Sequence, residues 1–153
     1  MKRLRILLAD DHSQVLTLLT KVLEPTFHVV GTAEDGHALI AAAQALHPDI
    51  VLTDVDMPAL NGIEATRELR KVQPRCRVIC HSAQDDPNVM AAAFAAGASG
   101  FVIKGSTSHL MSSIQSVIRH VWKSGDHPDA NSRPPHHVSH EPAGADRPLL
   151  TSL

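Results

Sequence analysis

The chain has 153 residues, 43% of them hydrophobic, and a formal charge of -2 from 14 basic and 16 acidic side chains. That length and apolar content suit one domain with a buried core and fall short of two. The missing basic excess disfavours contact with nucleic-acid phosphates or anionic membranes. Basic residues 1–5 precede an apolar stretch of only residues 6–9, too short for an export signal, and the longest uncharged window, residues 87–103, is too short for a membrane span and is broken by Gly97 and Gly100. A cytoplasmic protein follows as the expectation. Cys76 and Cys80 lack the ligands of a zinc site and the spacing of a CxxC redox pair, so they are expected to be buried thiols near one strand.

Residues 4–9 form an apolar run closed by Asp10 and Asp11, the pattern of a parallel strand buried on both faces. Val15, Leu16, Leu18, Leu19, Val22 and Leu23 then recur at helical spacing, with Ser13 as the expected cap and Pro25 as the stop. Residues 28–33 read as a second strand and 36–47 as an alanine-rich helix ended by Pro48, which disfavours helical geometry in the residue before it. A third strand covers 50–53, a helix 63–72, and a fourth strand 78–81. Residues 88–96 form a helix of small residues, with Gly97 placed for a left-handed cap. A fifth strand spans 101–103, and Leu110, Ile114, Val117, Ile118 and Val121 line one face of a last helix reaching about Trp122. Five strand-helix repeats predict an α/β domain over residues 1–122: a doubly wound, five-stranded parallel sheet, flavodoxin-like, with strand order 2-1-3-4-5.

Ligands of such sheets sit beyond the carboxyl ends of the strands, where this chain places Asp10, Asp11, Asp54, Ser82 and Lys104. Three clustered carboxylates raise one another's proton affinity unless a cation joins them. Oxygen donors without a nearby cysteine suit a hard ion, Mg2+ rather than zinc, although His12 adjoins the acids. Lys104 and Ser82 offer a mobile charge and a hydroxyl donor to a phosphoryl group. Singly, the aspartate pair reads as a helix start, Ser82 as a turn residue and Lys104 as a solvated strand end. Their joint placement in order is what carries weight.

The stretches Ile6-Leu7-Leu8-Ala9-Asp10-Asp11-His12, Asp54-Val55-Asp56-Met57-Pro58 with Gly62, His81-Ser82-Ala83, and Gly97-Ala98-Ser99-Gly100-Phe101-Val102-Ile103-Lys104 together resemble the receiver domain of two-component response regulators, in particular the NarL/FixJ type. The resemblance covers residues 3 to about 121. It implies Asp54 as phosphoacceptor from the phosphohistidine of a histidine kinase or phosphotransfer protein. It implies Asp11, Asp54 and the Asp56 carbonyl as Mg2+ ligands, with Asp10 acting through water. Ser82 and Lys104 would hold the product, and Phe101 would be an aromatic switch acting on the face of helix four, strand five and helix five. Gly105 stands where many receivers carry a proline.

Residues 123–153 hold five of the ten prolines and four histidines, His127, His136, His137 and His140, without any periodicity, and are expected to be a disordered tail. A single-domain response regulator that signals by protein contact, without small-molecule turnover, is therefore the leading expectation. One rival is the front part of a DNA-binding transcriptional regulator. Another is a haloacid-dehalogenase-type phosphatase, suggested by Asp54-Val55-Asp56 but opposed by the absence of any acid between Lys104 and Asp126.

Overall fold

The computed structural model describes residues 3–105, 107–122 and 150–152. Strand β1 (Arg5–Ala9) leads to α1 (Ser13–Leu23), β2 (His28–Ala33), α2 (Gly36–Leu46), β3 (Ile50–Asp54), α3 (Gly62–Val72), β4 (Arg77–Ser82), α4 (Pro87–Ala96), β5 (Gly100–Ile103), α5 (Thr107–Trp122) and a short β6 (Leu150–Ser152). The sheet runs β2-β1-β3-β4-β5-β6 and every pairing is parallel. The expected doubly wound order 2-1-3-4-5 is thus present. Leu150–Ser152, expected to be disordered with the rest of 123–153, instead pairs with Phe101–Ile103 as a sixth strand. Residues 123–149 of that expectation lie outside the described residues.

Period-two alternation sends the strand side chains into two cores, one on each face of the sheet. Leu7, Val51, Val78, Cys80 and Phe101 pack with Leu39, Ala43, Ala65, Leu69 and Ala93 of α2, α3 and α4. Ile6, Leu8, Ile50, Leu52, Ile79 and Val102 pack with Leu16, Leu19, Leu23, Leu110, Ile114 and Val117 of α1 and α5. Both cysteines are buried and free, and burial pushes each thiol up to about 12.

Helix ends follow local chemistry, with one departure from expectation. His12, not Ser13, is the N-cap of α1, and its side chain makes no capping bond. Asp35 caps α2, and Asp86 caps α4 with Pro87 in its first turn. His47, the residue before Pro48, ends α2 with φ 51°, outside the right-handed helical region that a following proline disfavours. Gly97 ends α4 with φ 110°, the left-handed cap predicted from the sequence.

Candidate functional site

Because β1, β3 and β5 all point the same way, their last residues and the loops after them meet at one edge of the sheet. Asp10, just beyond β1, is fully buried, and its backbone N–H donates to the Ala33 carbonyl at 3.0 Å. Asp54, the last residue of β3, is 5% exposed. Lys104 Nζ donates to Asp10 Oδ2 at 3.0 Å and lies 3.3 Å from Asp54 Oδ1. Asp10, Asp11, His12 and Asp54 each present a ligand atom within 4.8 Å of one another. Asp11 Oδ1 is buried, with His12 Nδ1 3.1 Å away.

The loop after β3 is held against the site by two local devices. The Asp56 N–H donates to Asp54 Oδ1 at 3.3 Å, while the Asp56 side chain stays exposed. At the far end of the loop, Asn61 and Glu64 form a reciprocal capping box that starts α3. Gly62 donates its N–H to the Val55 carbonyl at 2.8 Å, and a Cβ there would stand 2.1 Å from the Asp54 carbonyl oxygen. Only glycine lets the chain return this close to the acidic residue.

The remaining residues singled out from the sequence are placed differently. Ser82 is fully buried at the end of β4, and its Oγ accepts from the Gln84 N–H at 3.0 Å. Its backbone carbonyl accepts from the Lys104 N–H at 2.7 Å, which fixes the two strand ends side by side. The hydroxyl is thus at the same sheet edge but engaged by its own turn. Phe101 is fully buried in the core beneath α3 and α4. Ala83 and Gln84 are exposed, leaving the approach beside Ser82 open.

Sequence reasoning passed over His81. It is the cross-strand partner of Asp54 and of Val102 and is 5% exposed, with no partner for Nε2. Its position one residue before Ser82 in a buried strand was visible, but whether it shares a face with Asp54 depends on register. Register alone puts it opposite the acid.

The electrostatics follow from burial. Desolvation raises the Asp54 carboxyl above the ordinary carboxylate range, with Asp10 adding to the rise and Lys104 and the Asp56 amide opposing it. Burial disfavours the Lys104 ammonium, but its bond to Asp10 and the charge of Asp54 outweigh this and raise its pKa, so it is fully charged at neutral pH. Burial, then the Lys104 charge, lowers His81 to about 4 against a weaker pull from Asp10. His81 is therefore neutral at pH 7. A buried carboxylate with one oxygen beside an ammonium, next to further oxygen donors, is equipped to receive a phosphoryl group and to hold the cation that neutralises it.

Comparison with known proteins agrees with this chemistry. The response regulator receiver domain family matches residues 6–115. The transcriptional regulatory protein DegU of Brevibacillus brevis is 35% identical over 104 residues, 67% of this chain and 44% of its own. The chemotaxis protein CheY of Thermotoga maritima is 33% identical over 101 residues, 65% of this chain and 84% of its own. The signal receiver domain of NarL from Mycobacterium tuberculosis superposes with a TM-score of 0.71 at 27% identity, covering 75% of this chain and 95% of that one. The chain spans about half the length of curated relatives such as DegU. Phosphoryl acceptance and Mg2+ binding at an acidic pocket are general in this family. With its parallel sheet, its acids at the ends of β1 and β3 and its lysine beyond β5, the chain belongs to the receiver domains of two-component response regulators.

Proposed function

We propose that Asp54 is the phosphoacceptor of this receiver. The observation that carries the reading is the lysine bridge: one ammonium spans Asp10 and the buried Asp54 at 3.0 and 3.3 Å, beside Asp11. In the transfer, an Asp54 carboxylate oxygen forms a bond to phosphorus as the N–P bond of a partner's phosphohistidine breaks. The imidazole leaves and takes up a proton from solvent. Lys104 is placed to follow the new phosphoryl oxygens while keeping hold of Asp10. Ser82 Oγ, which accepts from the Gln84 amide, keeps its O–H free to donate to the phosphoryl group.

The donor set fits Mg2+. Asp11 and Asp54 would supply carboxylate oxygens, the Asp56 carbonyl a third, and Asp10 would act through water; the clustering of the Asp10, Asp11 and Asp54 carboxylates supports this assignment. Mg2+ bound there supplies charge neutralisation for the transferring group. Movement of Ser82 is relayed through the adjoining β5 and Phe101 to the surface of α4, β5 and α5, a population shift read by a partner protein or a second copy. In this reading the receiver proper is residues 1–122, with Leu150–Ser152 adding a strand at the edge of its sheet.

Two roles fit this chemistry: a stand-alone regulator that signals by protein contact, which we favour, and the front half of a DNA-binding regulator. The 84% coverage of the chemotaxis protein CheY supports the first, and the half-length coverage of DegU, whose name gives it a transcriptional role, supports the second. Coding sequence continuing past residue 153 into a helix-turn-helix would decide for it. Incubation with acetyl phosphate and Mg2+ tests the site: intact mass should show one added phosphoryl group in the wild type and none in Asp54→Ala. Equal labelling of both would reject Asp54, and repeated turnover of a small phosphoester would reject a receiver in favour of a phosphatase.

A further inference from the structure

We infer that Leu150–Ser152 is a displaceable cover on the outer edge of β5, held in cis by the chain's own segment and released when Asp54 carries a phosphoryl group. The inference rests on the reading of Asp54 as phosphoacceptor and of the α4, β5 and α5 surface as the one a partner reads. The last strand of an uncovered sheet presents a row of unpaired N–H and C=O groups that another strand can take up. Here Leu150, Thr151 and Ser152 pair in parallel with Phe101, Val102 and Ile103, and the added strand also lies against α5. It therefore occupies the middle of the proposed signalling surface. A partner that binds the β5 edge or the adjoining flank of α5 must first displace it.

Two features of the chain make the cover easy to move. It pairs through three residues, whereas β1 to β5 have four to six each. Its connection is also the longest: residues 123–149, 27 in all, separate Trp122 from Leu150, against three or four residues between each earlier helix and the strand after it. A longer connection costs more entropy to close, and here fewer bonds repay it. The paired and released states therefore lie close in free energy. The cover is also tied to the acidic site. Its last pair, Ile103 with Ser152, adjoins Lys104, whose Nζ holds Asp10 and Asp54 and whose N–H donates to the Ser82 carbonyl at 2.7 Å. When Lys104 follows the phosphoryl oxygens, the end of β5 shifts with it, and so short a ladder tolerates little displacement of its partner. Phosphorylation thus moves the population toward the released state.

The test is amide hydrogen exchange on the full chain, with and without beryllofluoride and Mg2+ as a stand-in for the phosphoryl group, in the wild type and in the double variant Leu150→Pro, Thr151→Pro. Alternate residues of a strand face its neighbour, so one of two adjacent prolines always removes a ladder donor. β6 is at the edge of the sheet, so the variant should keep the other five strands, which its amide spectrum checks. Without the stand-in, Phe101–Ile103 should exchange about fivefold or more slowly in the wild type than in the variant. Adding it should bring the wild type to the variant's rate. Because such coupling is reciprocal, the variant should also bind the stand-in more tightly, read from the Asp56 amide resonance. Equal rates in the two proteins without the stand-in would overturn the inference. So would protection that vanishes on dilution, since the occupant would then be a second copy, or a wild-type β5 rate that ignores the stand-in while the Asp56 amide reports it bound. An Asp56 amide that never moves would instead overturn the assignment of Asp54, and the release step with it, while slower exchange in the wild type would still establish the cover.

Discussion

Asp54 and His81 lie side by side across β3 and β4, and burial moves their proton affinities in opposite senses. The folded Asp54 has a raised pKa, so it contributes stability below the ordinary carboxylate value that is lost as pH rises through the raised one. At pH 7.5 without divalent cations its charge is a liability beside Asp10. Asp54→Asn should therefore raise Tm at that pH, and the gain should vanish on acidification. His81 has the reverse sign: its folded value near 4 lies below the ordinary 6.5, so its contribution is present above that range and lost as pH falls toward 4. Urea denaturation should show the wild type losing about 2 kcal/mol more than His81→Leu between pH 7.5 and pH 5. Equal losses would mean that the imidazole is hydrated. Asp10 and Asp54, the acids nearest to it, are present in both proteins, so their contributions cancel in the comparison.

At the level of elements, the connection from β3 to α3 carries the site. Asn61→Ala removes the side chain that accepts from Glu64 N–H and should cost about 1 kcal/mol in urea unfolding. Gly62→Ala should act on function more than on the helix. A Cβ 2.1 Å from the Asp54 carbonyl oxygen must push the loop outward, carrying the Asp56 amide and carbonyl away from the acid. Its labelling rate with acetyl phosphate should fall by about tenfold or more, the scale on which misplaced catalytic groups act, while Asn61→Ala changes that rate less. The closing glycine Gly97 was legible in the sequence because only glycine adopts φ 110° cheaply. The opening of α1 was not legible: Ser13 is a good capping residue, yet the chain leaves β1 such that His12 holds the cap position.

Across the whole molecule, the sheet gains an edge that the periodicity of the chain does not announce. Leu150–Ser152 pairs with β5 next to the proposed signalling surface, so deleting residues 150–153 should speed hydrogen exchange at Phe101–Ile103 and leave that of β3 unchanged. Exchange unaltered at β5 would mean that the sixth strand protects nothing in solution. Three residues with no alternation of their own carry no local signal; their state depends on a partner edge supplied from far along the chain. The same division runs through the site. Composition and spacing by themselves determined the alternating strands and helices, the parallel sheet, and the gathering of Asp10, Asp11, Asp54, Ser82 and Lys104 at one edge, since parallel strands must end together. Register and burial decided the rest: that His81 lies opposite Asp54, that the Ser82 hydroxyl is held by Gln84, that His12 turns back onto the acids, and which carboxylate is desolvated. These depend on how far one strand slides past the next and on which side chains are sealed from water, quantities that local sequence does not encode.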